Sequence, residues 1–255
     1  MVVDEGGGGK GAFSNRVSAV DAGVSDLPVR LVSAVIMAIL AGGALWLGNW
    51  FWVGFVVLVG GLVLWEWNRL VHASDASVLG ELVWLFFGAI YVSGAALALL
   101  TVRVRYDAFS VAVGFMLPIV AVDVGAYFAG RAIGGPKIAP KLSPSKTWAG
   151  LGGGAVAAAI VTVTNELLDI GPASLFPGYD ALSILGAIVA AVLIAVMAQG
   201  GDFFESWMKR RAGMKDSSNL IPGHGGVFDR ADGFLAVFFI LFLVAFMPGL
   251  IGLAG

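Results

Sequence analysis

The chain has 255 residues, 59% of them hydrophobic and only 13% charged, with a formal net charge of −2. Soluble domains average about 45–50% apolar and about 25% charged residues, so a mean hydropathy of +0.93 excludes an ordinary water-soluble globule and points to lipid as the solvent. The absence of cysteine excludes a disulfide framework and a thiolate metal site, and no nucleic-acid partner is expected.

Residues 1–30 are polar and Gly-rich, with Gly6 to Gly9 followed by Lys10 and Gly11. They hold no apolar core of the length a secretory signal needs. They read as a mobile cytoplasmic tail, with a short interfacial helix around Leu27 to Leu31. The Gly run reads as a linker: no strand precedes it and no Lys-Ser/Thr pair closes it, as a phosphate loop requires.

Residues 31–255 read as one transmembrane catalytic domain, an all-α bundle. A helix needs about 20 apolar residues to cross the hydrocarbon core, and seven stretches qualify, at 31–48, 50–67, 79–100, 109–130, 148–167, 181–199 and 234–253. Gly48 and Asn49 join the first two tightly. Glycines within the spans, such as Gly60, Gly61 and Gly152 to Gly154, suit close helix packing in lipid, and a homodimer is compatible with such a bundle. With seven spans, thirteen of the fifteen Lys and Arg residues fall on one side, and only Arg103 and Arg105 fall opposite. By the positive-inside rule the N-terminus and the two long polar loops, 131–147 and 202–232, face the cytoplasm.

Asp123 lies in the fourth span, and an ionisable residue there is a functional candidate by default. The loop that follows runs through Gly134, Gly135 and Pro136 to Ser143, Pro144, Ser145, Lys146 and Thr147. Its Pro and Gly rule out a continuous helix, while its hydroxyls and lysines suit a phosphate-binding helix start or a basic loop touching anionic headgroups. After the sixth span, Asp202, Glu205, Ser206 and Lys209 are spaced i, i+3, i+4 and i+7 and share a helix face. Two carboxylates there suit a divalent cation, although a plain helix end with a Glu205–Lys209 pair reads equally well. Pro222-Gly-His224-Gly225-Gly226 then breaks the helix and exposes backbone N–H groups of the kind that form anion-binding nests. Asp229 and Asp232 follow, with Arg230 between them. Carboxylates for a metal beside cations and N–H groups for phosphates are what a polyphosphate site needs.

From Ser206 to Asp232 the sequence resembles the signature of the phosphatidate cytidylyltransferase (CDP-diacylglycerol synthase) family. That pattern is Ser-x-x-Lys-Arg-x4-Lys-Asp, then Pro-x-His-Gly-Gly-x-x-Asp-Arg-x-Asp, and every fixed position is filled over these 27 residues. The earlier loop is also similar to the family's, through Asp123-x-x-Ala-Tyr127 and Ser143-Pro-x-Lys146-Thr147. It departs where Ala149 stands in place of the family's Glu, so no role of that Glu carries over.

The resemblance implies transfer of the cytidylyl group of CTP to phosphatidate, giving CDP-diacylglycerol and pyrophosphate for phospholipid synthesis. It implies an enzyme in the bacterial cytoplasmic (inner) membrane with its site facing the cytoplasm, in contact with the bilayer. Mg²⁺, one ion or two, would be held by Asp202, Asp216, Asp229 and Asp232, with Asp123 and Glu205 in reserve. Asp229, Asp232, Lys209 and Arg230 form the expected catalytic set. Lys209, Arg210, Lys215 and Arg230 would hold phosphates, and Ser206, His224, Gly225 and Gly226 would shape the nucleotide site. Ser143, Lys146 and Thr147 would make the opposing wall. A CTP-dependent polyprenol kinase would use similar parts but release CDP. A transporter would instead need ionisable groups near mid-bilayer, where only Asp123 qualifies.

Overall fold

In a bilayer, long apolar runs can satisfy their backbone polar groups internally as helices, and helices dominate the computed structural model, which describes residues 9–106, 109–168 and 184–246. The helix α1 (Gly9–Leu47) turns sharply into α2 (Asn49–His72) at Gly48. Gly48 and Asn49 both take positive φ, 63° and 44°, so the tight joint expected from this pair is a left-handed turn that Gly and Asn adopt at little cost. Next come α3 (Val78–Tyr106), α4 (Phe109–Ala132), the strands β1 (Lys137–Ala139) and β2 (Ser143–Thr147), α5 (Trp148–Leu167), α6 (Ile184–Arg211) and α7 (Phe228–Leu241). The chain continues from α7 in a π-helical turn, Phe242–Phe246.

Six segments are long and apolar enough to cross a membrane among the described residues: Leu27–Leu47, Asn49–His72, Val78–Val104, Phe109–Ala132, Trp148–Leu167 and Ile184–Arg211. The start of the expected seventh span, 234–253, lies in α7, and its end lies outside the described residues. Residues from Gly9 onward are helical and continuous with the first span, because extending an existing helix adds a hydrogen bond per residue without a new nucleus.

The helices pack in the order α2, α3, α7, α6, α5, α4, with α4 also touching α3; α1 lies outside, mainly against α2. Only 6% of the α1 window is buried, against 28–39% in the other spans, which makes α1 the peripheral helix. The closest packing joins α4 to α5. A Cβ on Gly125 would stand 2.5 Å from the Gly153 carbonyl oxygen, and one on Gly154 would stand 2.8 Å from that of Val122. Small residues let the backbones meet, as expected of membrane helices.

Two apolar clusters fill the bundle. One runs through Trp52, Ala98, Ile119, Ala158, Ala195 and Phe238. The other, around Val63, Trp67, Leu70, Val92, Met208 and Phe228, lies beneath the polar end. Trp67 sits 5.7 Å from both Phe204 and Phe228 by ring centroid, and its indole N–H donates to the Trp84 carbonyl at 2.9 Å. This aromatic floor joins α2, α3, α6 and α7 directly below the site.

Candidate active site

The site gathers at one end of the bundle: the C-terminal ends of α2 and α6, the N-terminal ends of α5 and α7, and the part of α1 around Arg30. Arg103 marks the other end, donating from Nε to the Leu45 carbonyl at 3.2 Å.

The hairpin between α4 and α5 pairs Lys137 with Thr147 and Ala139 with Ser143, with an irregularity between. The break from helix expected from its Pro and Gly is therefore a β-hairpin. Thr147 is the N-cap of α5 and accepts from the Gly150 N–H at 3.0 Å, so its hydroxyl is spent on the first orphan donors of the helix. Ser143 is half-buried in the hairpin. Lys146 reaches across to α6 and pairs with Asp202.

On α6 the expected face is real. Lys209 Nζ lies 2.6 Å from Glu205 Oε2 and 2.6 Å from Asp229 Oδ1, bridging α6 to α7. Ser206 is half-buried and Arg210 exposed. The helix ends at Arg211 with Gly213 at φ 67°, its N–H on the Arg210 carbonyl and the Met214 N–H on that of Lys209. This is the glycine-capped stop that turns the chain back toward the bundle.

Asp229 sits in the first turn of α7. While Oδ1 holds Lys209, Oδ2 accepts from the Ser217 N–H at 2.9 Å, the Ser217 hydroxyl at 2.6 Å and the Gly226 N–H at 2.8 Å. Burial raises its carboxyl, but the Glu205 carboxyl, Lys209, Ser217 and the Gly226 N–H outweigh burial and hold it well below the ordinary carboxylate range. Asp232, one turn further, meets Asp202 within hydrogen-bond reach. Burial first, and then the Asp202 charge, push Asp232 well above that range. Asp123 is exposed on α4, within electrostatic reach of Asp202, Lys146 and Arg230.

The segment between α6 and α7 folds inward at Ser217 and Ser218 and outward at 221–225. The Ile221 N–H donates to the Gly225 carbonyl at 2.8 Å and the His224 N–H to the Ile221 carbonyl at 3.0 Å. Gly225 takes φ 83°, and a Cβ there would meet the Asp229 carboxylate at 3.0 Å, so only glycine suits this position. His224 Nδ1 lies 2.9 Å from the Ser33 hydroxyl, which also stands 2.9 Å from the Pro222 carbonyl, so α1 holds the turn. Arg230 Nε donates to the His224 carbonyl at 3.2 Å. Beside this turn lies a polar pocket of about 330 Å³, lined by Arg30, Lys215, Asp216, Asn219, His224, Gly225 and Arg230 among others. A second, apolar cleft of about 280 Å³ lies between α3, α6 and α7, bordered by Phe87, Tyr91, Gly201, Phe204 and Phe239.

The expected metal ligands thus separate. Asp202 and Asp232 face each other, Asp229 is committed to Lys209 and the loop, and Asp216 lines the polar pocket beside Gly225. No group of three or more carboxylates or imidazoles forms a metal cage among the described residues. Two facing carboxylates do fit Mg²⁺, which commonly takes one or two carboxylates and completes its shell with water and substrate phosphates. Lys146 pairs with Asp202 of the two.

Sequence reading missed Glu66, Ser33 and the binding aspect of Arg30. Glu66 is the one acid of α2 and is fully buried. The rule that singles out Asp123, an ionisable group in a span, applies equally to it.

Comparison with known proteins adds the following. The sequence model of the cytidylyltransferase family matches residues 73–247. A phosphatidate cytidylyltransferase of Brucella melitensis biotype 1 is 33% identical over 262 aligned positions, covering 86% of this chain and 93% of the relative. One from Rickettsia bellii is 30% identical over 227 positions, 89% of this chain and 94% of the relative. One from Rickettsia typhi is 29% identical over 208 positions, covering 81% and 86%. Matched over most of its length by the family's model and by relatives of the same build, the chain belongs to the cytidylyltransferase family.

Proposed function

We propose that this chain transfers the cytidylyl group of CTP to phosphatidate, forming CDP-diacylglycerol and releasing pyrophosphate. One observation carries the reading: the Ser206–Asp232 signature gathers at one end of the bundle, where Asp232 faces Asp202, Lys209 pairs with Asp229, and Gly225 lies against Asp229 and lines the polar pocket.

A phosphatidate oxygen attacks the α-phosphorus of CTP. A new P–O bond forms there as the bond to the bridging α–β oxygen breaks, and pyrophosphate leaves with that electron pair. Phosphatidate is already anionic at neutral pH, so no strong general base is needed, and no covalent enzyme intermediate arises. Catalysis is positioning plus charge neutralisation. Arg30, Lys215 and Arg230 hold the triphosphate in the polar pocket, with His224 and Gly225 shaping its wall. The apolar cleft beside Gly201 receives an acyl chain and leaves the lipid phosphate near Asp202. Lys209, fixed by Glu205 and Asp229, and Lys146 lie where charge develops. Mg²⁺, one ion or two, held by Asp202 and Asp232 with Asp123 in reserve, would neutralise triphosphate oxygens.

The same proposal puts the enzyme in the bacterial inner membrane with this end of the bundle in the cytoplasm, where CTP is found. The bias of Lys and Arg toward this end supports it. A homodimer is part of the proposal, and the mass of the protein in lipid nanodiscs tests it.

Purified protein given CTP and phosphatidate in mixed micelles is expected to form CDP-diacylglycerol and equimolar pyrophosphate only when Mg²⁺ is present. Absence of CDP-diacylglycerol from folded protein overturns the reading.

A further inference from the structure

Glu66 is the least expected charge in the molecule. It lies near the C-terminal end of α2, is 0% exposed, and stands on the aromatic floor beside Trp67. A buried carboxylate is costly unless its lone pairs are met; three donors meet these, and a hydroxyl shared with Asp229 stands within reach as a fourth. Oε1 accepts from the Ser218 hydroxyl at 2.5 Å and the Val227 N–H at 2.9 Å, while Oε2 accepts from the Phe228 N–H at 2.6 Å and lies 3.1 Å from the Ser217 hydroxyl.

Two of these donors begin α7. The first N–H groups of a helix have no partner within it, and Val227, at the N-cap position, makes no side-chain cap bond. Glu66 therefore caps α7 from another helix, placing negative charge at the positive end of the helix dipole. The next residue of α7 is Asp229. Ser217 links the two acids directly, since its hydroxyl is within reach of Glu66 Oε2 and lies 2.6 Å from Asp229 Oδ2, while its N–H donates to the same Asp229 oxygen. Gly226 seals the arrangement: a Cβ there would run into Glu66 and the Ser217 hydroxyl.

We infer that Glu66 is a positioning residue of the nucleotidyl-transfer site. It lies outside the Ser206–Asp232 signature and outside the residues that the family's model matches. By fixing the start of α7 and the Ser217–Ser218 turn, it sets the place of Asp229 and, through Asp229, of Lys209. It touches no substrate itself. The inference rests on the proposed reaction.

Glu66→Gln is a sharp test, because each carboxylate oxygen accepts a backbone N–H, one from Val227 and one from Phe228. Whichever way the amide lies, its NH₂ faces a backbone donor that cannot turn away. In purified full-length protein, kcat/KM for CTP is expected to fall about 10- to 100-fold, the range seen when a residue that orients a catalytic ligand is removed. KM for phosphatidate should stay within about twofold, since the acyl cleft between α3, α6 and α7 does not include Glu66. Ser218→Ala removes one donor and keeps the carboxylate, so the same kinetic constants should move in the same direction by only a few-fold. Wild-type CTP kinetics in folded Glu66→Gln protein overturns the inference. So does an equal weakening toward both substrates that tracks the folded fraction. If Glu66→Gln does not fold, Ser218→Ala decides by the same criteria. Failure of the wild-type protein to make CDP-diacylglycerol would instead remove the reaction on which the inference rests.

Discussion

Lys209 has one positive charge and two carboxyl groups within 2.6 Å, Glu205 and Asp229. Its side chain is 14% exposed, and theirs are 2% and 4%. Removing one partner of a buried ion pair leaves an uncompensated charge and costs about 3–5 kcal/mol. Lys209→Met is therefore expected to abolish turnover and to lower thermal stability strongly. Glu205→Gln, which leaves a balanced Lys209–Asp229 pair, is expected to melt close to wild type. Melting followed by tryptophan fluorescence in detergent checks both, and equal losses would contradict the bridging role. The spacing of Asp202, Glu205 and Lys209 was legible as one helix face. What spacing could not give was the choice between a metal site and a salt bridge, because Asp229 arrives from another helix. The structure supplies both answers at different acids: Lys209 takes Glu205 and Asp229, while Asp202 and Asp232 are the pair that suits a cation.

At the scale of elements, apolar length found the spanning helices, because lipid leaves the backbone few other solutions. It was less informative at their ends. The polar residues before the first span read as a tail, yet α1 is helical from Gly9. The 137–147 segment was legible as a break but not as a hairpin, since strand pairing depends on the register that sets Lys137 opposite Thr147 and Ala139 opposite Ser143 and not on local composition. Thr147 joins these elements as the cap of α5, so Thr147→Ala is expected to cost about 1 kcal/mol, with Thr147→Ser nearly neutral. The α4–α5 contact is less forgiving. A side chain at Gly153 would strike Ala129 and the Gly125 carbonyl oxygen, and overpacking typically costs about 1–3 kcal/mol. Gly153→Leu should lower the melting temperature, while Gly152→Leu, where nothing stands within 4 Å, should not. Equal effects at the two positions would contradict this helix contact.

At the scale of the molecule, the organisation follows from where the charges gather. One end of the bundle holds Lys146, Lys209, Lys215, Arg230 and the acids they face; the other holds Arg103 against Leu45 and Gly48. The apolar cleft between α3, α6 and α7 and the polar pocket beside Gly225 give the proposed enzyme the two kinds of surface that a lipid and a nucleotide need. The signature was legible in sequence because its residues are contiguous. The roles of Glu66 and Ser33 were not, because each acts from a different helix on a turn more than 150 positions away. The central claim is the transfer of a cytidylyl group and not of a phosphoryl group. The most direct measurement gives the purified protein phosphatidate and Mg²⁺ with CTP labelled at either the α- or the γ-phosphorus, then follows the label into lipid. The α-label should enter the lipid as CDP-diacylglycerol while the γ-label leaves as pyrophosphate; γ-label in the lipid with release of CDP would contradict the claim.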